Sequence, residues 1–337
     1  MTILGDLGAS SPVVAAPMAG GPTTPELVLA AAEAGSLAFL AGGYLTADAL
    51  RDQVTRVRTG TQLYGVNVFA PNPVPVDPRA YASYRDLIRF EAERYGVSLP
   101  EVPVEDDDGW RDKVDLLIEQ EVPVVSFTFG IPDAASLDAL RRAGSVLVQT
   151  VTDVDEARRA AQSGADALSV QGPAAGGHSG TLNPGRLPPD RPLTELVGEV
   201  RAAVDLPLLA AGGIASAPDV SAVLAAGAEA AVVGTILLLA DESGTSRAHR
   251  VGILEHSRET AVMLAWTGRP ARGLRNAFSD SFDAAAPLGY PALHHLTRPL
   301  RTAAAAAADP ERVNLWAGTG YREARQAPVA EILRSLA

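Results

Sequence analysis

Short apolar runs alternate along the chain with longer stretches in which apolar residues recur every three or four positions. The short runs predict buried strands, and the longer stretches predict amphipathic helices. Eight such strand-and-helix units occur before about residue 245. The predicted strands are residues 13–16, 37–40, 64–69, 124–129, 146–149, 165–170, 206–211 and 230–233. This alternation predicts an α/β protein, a (β/α)8 TIM barrel.

Several predicted helices start at residues that suit a helix N-terminus. Thr24 precedes Pro25, which is favoured at the first helical position, and Thr46 and Asp133 stand just before two further helices. Residues 216–219 resemble a capping box. The alternative fold is a doubly wound open sheet, but that fold favours an early GxGxxG motif, which the chain lacks.

Two segments stand outside the regular alternation. After the third strand come a Pro-rich loop (71–78), a helix to about Tyr95, an acidic turn and another helix, which together predict a helical insertion. Beyond the eighth unit the pattern is mostly helical. We therefore predict a barrel domain over residues 1–245 and a C-terminal helical segment, over residues 246–337, that packs on the barrel. One arrangement would place this segment over the mouth of the barrel.

Composition narrows the function. Of 337 residues, 47% are hydrophobic, which is enough for a large core, and the net charge of −12 without a basic stripe argues against nucleic-acid binding. There are no cysteines, so disulfides and thiolate metal sites are excluded. Neither a signal peptide nor a membrane-length apolar run is present, so we expect a cytoplasmic protein without membrane contact. The single lysine, Lys113, is predicted on a helix surface, which makes Schiff-base catalysis a poor fit.

The catalytic residues of a barrel enzyme lie at the carboxyl ends of its strands. Here those ends are almost uncharged and rich in glycine, with no carboxylate cluster or pair of histidines at ligand spacing, which argues against a metal site. A rim of this kind needs an organic cofactor for its reactivity. The strand-end residues are Pro17, Met18, Gly42, Gly43, Asn67, Phe129, Gly130, Gln149, Thr150, Gln171, Gly212, Gly213, Gly234 and Thr235.

The glycines of the last two strand ends suggest the cofactor. Gly212 and Gly213 follow the seventh strand, and Gly234 with Thr235 follows the eighth, where barrels often bind phosphate through backbone N–H groups. The amides of Asn67 and Gln171 suit the edge of a heteroaromatic ring such as a flavin. The alternative is that these glycines only close tight turns.

One stretch after the sixth strand provides a candidate for acid–base chemistry. Gln171 ends the strand, Gly176 and Gly177 permit a close approach to the backbone, and His178 is the side chain that titrates near neutral pH. The alternative is a flexible loop with a surface histidine. Met18 next to Pro17 is interpreted as packing on the flavin face, with ordinary core packing as the alternative.

Aromatic and imidazole side chains beyond the strands are predicted to lie on the surface or in packed regions rather than in the site. They are His249, His256, His294, His295, Trp316 and Tyr321. For Trp316 and Tyr321 the alternative is that they line a lid.

Together these motifs resemble the nitronate monooxygenase family, formerly the 2-nitropropane dioxygenases, over nearly the whole chain. The resemblance lies in residues 14–21, 65–67, 125–132, 171–172, 176–178, 211–214, 267–272 and 315–318. It implies an FMN-containing TIM barrel with His178 as the active-site histidine. It also implies FMN contacts for Asn67, Gln171, Gly176, Gly213 and the segment Val232, Val233, Gly234 and Thr235, the last two lying with Gly213 nearest the phosphate.

Two positions depart from the family pattern. The family usually has an acidic residue where this chain has Ala174, and Gln-Met where this chain has Val232-Val233. The first departure leaves His178 without a carboxylate nearby in the sequence. The second is compatible with FMN binding if the contacts are made by the backbone.

The resemblance implies that the enzyme oxidises an alkyl nitronate with dioxygen to a carbonyl compound and nitrite, a detoxifying reaction for which propionate 3-nitronate is a family-based expectation. His178 would hold the nitronate or remove the α-proton of a neutral nitroalkane, and a protonated ring would offset negative charge in a site otherwise lacking cations. Alternatives are an FMN-dependent enoyl-acyl-carrier-protein reductase, an NADH:quinone reductase and a non-catalytic phosphate-binding barrel. Assembly into a homo-oligomer is left open.

Overall fold

The computed structural model of the chain describes residues 3–186 and 189–337. Eight parallel strands form one sheet, and a bridge from Ala15 to Ala38 brings the two ends of the sheet together. The predicted TIM barrel is therefore confirmed. The barrel strands are β1 (Val13–Ala15), β2 (Phe39–Ala41), β3 (Gly65–Phe69), β4 (Val124–Thr128), β5 (Val146–Val151), β6 (Ala167–Gln171), β8 (Leu208–Ala211) and β9 (Ala230–Val233). Their order in the sheet is β1-β9-β8-β6-β5-β4-β3-β2.

Helices follow the strands and begin where the sequence predicted. The side chains of Thr24, Thr46 and Asp133 each accept a backbone N–H of the following helix, and Ser216 and Asp219 form a capping box. The helices are α1 (Ile3–Asp6), α2 (Pro25–Glu33), α3 (Ala47–Arg58), α4 (Pro78–Glu93), α5 (Trp110–Glu119), α6 (Ala134–Arg142), α7 (Val154–Gln162), α8 (Leu193–Ala203), α9 (Ala217–Ala225), α10 (Arg247–Leu254), α11 (Ala277–Phe282), α12 (Ala292–Ala306) and α13 (Val329–Arg334).

The barrel interior is filled by alternate strand residues. In β1, Val14 belongs to the interior cluster with Val148 and Leu209, whereas Val13 belongs to the cluster between strands and helices. Leu4 of α1 joins the interior cluster. The filled interior leaves the carboxyl ends of the strands as the place where a cavity can form.

A second, three-stranded antiparallel sheet was not predicted. It consists of β7 (Gly177–His178), β10 (Thr260–Met263) and β11 (Ala271–Leu274), in the order β10-β11-β7. In its register Ala271 lies opposite His178. The C-terminal segment thus contains the predicted helices, α10 to α13, and also two strands that hold the histidine.

The inserted helix α4 packs on the C-terminal segment. Tyr84 of α4 and Leu296 of α12 share a buried cluster with Trp266, and the Tyr84 hydroxyl donates to the carbonyl of Ala265 at 2.7 Å. This packing holds α12 beside the carboxyl ends of the strands. The proposed division at residues 245 and 246 stays a prediction, and the first two residues of the first domain lie outside the described residues.

Lys113 was predicted on a helix surface, and this was wrong. Its side chain is only 2% exposed, and its Nζ lies 2.6 Å from Oδ2 of Asp108. The other carboxylate oxygen of Asp108 accepts the backbone N–H of Tyr44. The inserted segment is therefore tied to the loop after β2 by the hydrogen bond from the Tyr44 N–H to the carboxylate that pairs with Lys113.

Candidate active site

A cavity of about 850 Å³ opens at the carboxyl ends of the barrel strands. With one exception, the predicted site residues line it: Pro17, Met18, Asn67, Gln171, Gly176, Gly177, His178, Gly212, Gly213, Val232, Gly234 and Thr235. The exception is Val233, whose side chain is 1% exposed and lies in the core between the strands and the helices. The topology thus brings together residues that are distant in the sequence.

The glycines after β8 and β9 form a cradle of backbone N–H groups. Gly212 (φ 123°) and Gly213 (φ 76°) adopt backbone conformations that favour glycine, and a Cβ on Gly213 would lie 2.9 Å from Cβ of Ala174. Within the described chain, the N–H groups of Gly212, Gly213, Gly234 and Thr235 donate to no protein acceptor. Unpaired N–H groups that face a cavity suit a phosphate.

Backbone of the C-terminal segment lies beside this cradle. The N–H of Gly318 donates to Oγ1 of Thr235 at 2.9 Å, and the N–H of Thr319 donates to the carbonyl of Ala174 at 3.1 Å. The hydroxyl hydrogen of Thr235 remains available as a donor. Ala174, the position where the family usually has an acid, is not part of the cavity wall.

The two predicted amides already have protein partners. Nδ2 of Asn67 donates to the hydroxyls of Ser126 and Thr128 at 2.9 and 3.0 Å. Gln171 donates to the carbonyl of His178 at 3.1 Å and accepts the N–H of Gly180 at 2.7 Å. Gln171 therefore holds the histidine segment in place, a role that the sequence analysis did not predict.

His178 lies in an aromatic enclosure. Its ring centroid is 5.6 Å from that of Phe129, 5.8 Å from Tyr290 and 5.5 Å from Trp316, and its Nε2 lies 2.9 Å from Oγ1 of Thr267. Burial, and then the positive charge of nearby arginines, lowers the pKa of His178 to about 3. This environment favours the neutral imidazole.

Arginines of the C-terminal segment contradict the expected absence of cations. Arg298 and Arg301 of α12 line the cavity. Arg301 donates to the carbonyl of His294 at 2.9 Å and to Oδ1 of Asn314 at 3.2 Å, and no carboxylate of the described residues lies within ion-pair distance. Burial lowers the pKa of Arg301 to about 10, which leaves the guanidinium charged at neutral pH.

Arg269 is a second buried cation near the histidine. Its side chain is fully buried, its guanidinium carbon lies 4.0 Å from the centre of the Phe129 ring, and one nitrogen donates to the carbonyl of Thr181 at 2.6 Å. Burial lowers its pKa to about 10. Both arginines follow the eight barrel strands in the sequence, and the sequence analysis had named neither as a candidate site residue.

Two histidines predicted as surface or packing residues also line the cavity, namely His249 and His294. The ring of His294 stacks on Tyr44 with a centroid distance of 4.1 Å and an interplanar angle of 4°. Positions 294, 298 and 301 are spaced four and three apart, which places them on one helix face. That spacing could have shown from the sequence that the three side chains share one helix face, but not that this face meets the cavity.

Trp316 is a further cavity residue that the sequence analysis had assigned to packing. In residues 3–186 and 189–337, no group of three or more His, Asp or Glu side chains could hold a metal ion. Over the same residues, no helix is long and apolar enough to cross a bilayer. The cavity thus offers backbone donors, aromatic rings, imidazoles and guanidinium groups.

The comparisons with known proteins agree with each other. The family model described as nitronate monooxygenase matches residues 2–337. A probable nitronate monooxygenase of Staphylococcus saprophyticus is 33% identical over 327 residues, covering 95% of this chain and 92% of the relative. A probable nitronate monooxygenase of Staphylococcus aureus strain JH9 is 32% identical over 331 residues, covering 96% and 93%.

Solved structures show the same likeness. A nitroalkane oxidase from Streptomyces ansochromogenes superposes with a TM-score of 0.92 at 42% identity, covering 99% of this chain and 96% of that one. FabK from Thermotoga maritima superposes with a TM-score of 0.76 at 27% identity, covering 100% and 94%. The likeness therefore extends over the barrel and the C-terminal segment together.

Proposed function

We propose that this chain, which belongs to the nitronate monooxygenase family and is a nitronate-oxidising oxidoreductase, uses FMN and dioxygen to convert alkyl nitronates to a carbonyl compound and nitrite. The observation that supports this most is a single cavity holding both a cradle of unpaired backbone N–H groups and the neutral ring of His178. Removal of reactive nitronates is the cellular role we propose.

The cavity wall fits FMN. The N–H groups of Gly213, Gly234 and Thr235 would hold the phosphate, because they have no protein acceptor in the described chain and a side chain at Gly213 would fill the space. Asn67 lies where it could meet the edge of the ring system. When bound, FMN supplies the capacity to take electrons from an organic anion and to react with dioxygen.

His178 is the acid–base group of this proposal. With a neutral nitroalkane, its unprotonated nitrogen would take the α-proton, and the electron pair of the C–H bond would move onto the nitro group to give the nitronate. The negative charge that develops there favours the protonated imidazole as the proton moves. The rings of Phe129, Tyr290 and Trp316 pack around the imidazole.

The cations of α12 support an anionic substrate. Arg298 and Arg301 line the cavity and have no carboxylate partner among the described residues. A guanidinium in this state attracts a negatively charged group, and a carboxylate would form a charge-assisted pair with it. We therefore propose that a nitronate with a second negative group, such as propionate 3-nitronate, is the preferred substrate.

An anaerobic titration of the purified protein tests the proposal. We expect a yellow protein whose visible absorbance bleaches on addition of propyl-2-nitronate and returns on admission of air. Colourless protein that does not take up added FMN would refute the cofactor. Rapid bleaching by NADH or NADPH, with none by nitronate, would favour the enoyl-acyl-carrier-protein reductase or quinone reductase alternatives.

The role of the histidine is tested by His178→Asn. This variant should retain FMN but turn over neutral nitroalkanes about a hundredfold more slowly, since general base catalysis is worth about 10²–10⁴ in rate. His256→Asn is the matched control, because His256 is exposed. Unchanged nitroalkane turnover in His178→Asn would exclude this role.

A further inference from the structure

We propose that Thr267 is a positioning residue that fixes the single proton of the His178 ring on Nε2, so that Nδ1 receives the proton of a neutral nitroalkane. Thr267 lies beyond the eight barrel strands in the sequence and forms one hydrogen bond with the His178 ring. This inference deepens the proposed function, and only its kinetic consequence rests on that function.

The hydrogen bonds of Thr267 determine the direction of the contact. Its Oγ1 lies 3.3 Å from the carbonyl oxygen of Arg269 and 2.9 Å from Nε2 of His178. A carbonyl oxygen only accepts, so the single hydroxyl hydrogen of Thr267 is directed to Arg269. Oγ1 must then accept from His178, and this places the ring proton on Nε2.

The turn that contains Thr267 is rigid. The N–H groups of Thr267 and Gly268 both donate to the carbonyl of Leu264, at 3.1 and 2.8 Å. Gly268 has φ 68°, and a Cβ there would lie 2.8 Å from the carbonyl oxygen of Gly289. Thr267, which is 2% exposed, therefore holds its hydroxyl at one position relative to the imidazole.

The acceptor of the hydroxyl is fixed as well. The guanidinium of Arg269 donates to the carbonyl of Thr181 and stacks on Phe129, and the carbonyl of the next residue, Pro270, accepts the N–H of Ser179 at 2.8 Å. The turn is thus bound to the histidine segment on both sides. Its position and that of His178 cannot change independently.

The rest of the surroundings keep a second proton off the ring. Arg269 and Arg301 oppose a positive charge on His178, and burial opposes it further. Nδ1 makes no hydrogen bond to the described part of the protein, and His178 lines the cavity. A neutral ring with its proton on Nε2 has its lone pair on Nδ1, the form that accepts a proton.

This arrangement separates two possible roles of the histidine. The opposite tautomer would place an N–H on Nδ1, which could bind a nitronate oxygen but could not take a proton. It would also require Thr267 to donate to His178, which would leave the carbonyl of Arg269 without that donor. The structure therefore favours a role for His178 as a base over a role as a hydrogen-bond donor.

The direct test is nitrogen NMR of protein labelled with ¹⁵N-histidine, with His178→Asn used to assign the signals. We expect the ¹⁵N shifts of His178 in the wild type to be those of the Nε2–H tautomer, and Thr267→Val to shift them toward a mixture or toward Nδ1–H. Thr267→Ser, which keeps the hydroxyl, should restore the wild-type pattern. An Nδ1–H tautomer in the wild type, or an unchanged pattern in Thr267→Val, would overturn the proposal.

A kinetic measurement gives the consequence. Thr267→Val should lower kcat/KM for nitroethane about tenfold more than kcat/KM for ethyl nitronate, because only the first substrate needs proton removal. An equal fall for both substrates would contradict the proposed role. The NMR measurement decides the tautomer even if the protein oxidises neither compound, so failure of the proposed function is distinguishable from failure of this inference.

Discussion

The barrel rim and the C-terminal segment contribute opposite chemistry to the same cavity. The rim supplies backbone N–H groups and neutral side chains, as at Gly213 and Gly234, whereas the segment supplies the guanidinium groups of Arg298 and Arg301 and the ring of Trp316. A ligand can reach the backbone N–H groups only where no side chain fills the space. Binding by the C-terminal segment depends instead on the charge of its arginine side chains. Substitutions in the barrel rim should therefore weaken cofactor binding, and substitutions in the C-terminal segment should change substrate preference.

The largest effect is expected from Gly213→Ala. Alanine is strained at φ 76°, and its Cβ would lie 2.9 Å from Cβ of Ala174, so the cradle must deform. We expect FMN affinity to fall about a hundredfold, which corresponds to about 3 kcal/mol, measured by fluorescence titration of the apoprotein. Gly198→Ala is the matched control, because Gly198 lies in α8 with no atom close to its Cβ position. Equal FMN affinity in both variants would refute the cradle.

The next effect concerns the neutral state that the environment imposes on His178. The pKa of His178 is about 3 in the folded protein against an ordinary value of 6.5, so below pH 6.5 the unfolded chain takes up a proton that the folded protein does not. Stability from this group is therefore complete above pH 6.5 and is lost as the pH falls toward 3. At pH 5 the loss is about 2 kcal/mol.

This loss is measured as a difference, because His249 and His294 also have lowered pKa values. The free energy of unfolding of the wild type minus that of His178→Asn should fall by about 2 kcal/mol between pH 8 and pH 5. A difference that does not change with pH would mean that the ring titrates normally in the folded protein.

A smaller effect is expected from a substitution in the C-terminal segment, and it should change substrate binding rather than FMN binding. Arg301→Gln removes a charge that has no carboxylate partner in the described chain, so KM for propionate 3-nitronate should rise about tenfold while FMN affinity stays unchanged. KM for propyl-2-nitronate, which has no carboxylate, should rise less. Arg111→Gln is the control, because Arg111 is exposed on α5. An equal rise for both nitronates would remove the support for a carboxylate-bearing substrate.

The sequence predicted the barrel and its rim well, for a physical reason. Strand periodicity and helix caps are local signals, and parallel strands bring their carboxyl ends together whatever their separation in the chain. Asn67, Gln171 and Gly213 could therefore be placed in one site before the structure was known. The cavity positions of these residues follow the prediction, and their contacts with FMN remain a prediction.

The charged wall could not be predicted in the same way. Arg301 follows His178 by more than 120 residues and reaches the cavity only because α12 packs on α4 and because β11 pairs with β7. No local pattern reports that packing. The prediction that the site lacks cations was wrong because it considered only strand ends. Lys113 was misplaced for a related reason, since its buried partner Asp108 lies in an irregular turn.

The smallest effect is expected from Ser216→Ala, which should lower folding stability without changing FMN binding. Ser216 caps α9, and Asp219 accepts its hydroxyl at 2.7 Å, only a few residues after Gly213. Ser216→Ala should lower the free energy of unfolding by about 1 kcal/mol in urea denaturation, because one helix N–H loses its acceptor. FMN affinity should remain within about twofold, since the cradle binds through backbone that the cap does not form. A loss of FMN as large as that in Gly213→Ala would instead show that the helix cap, and not the unpaired N–H groups, maintains the cofactor side of the cavity.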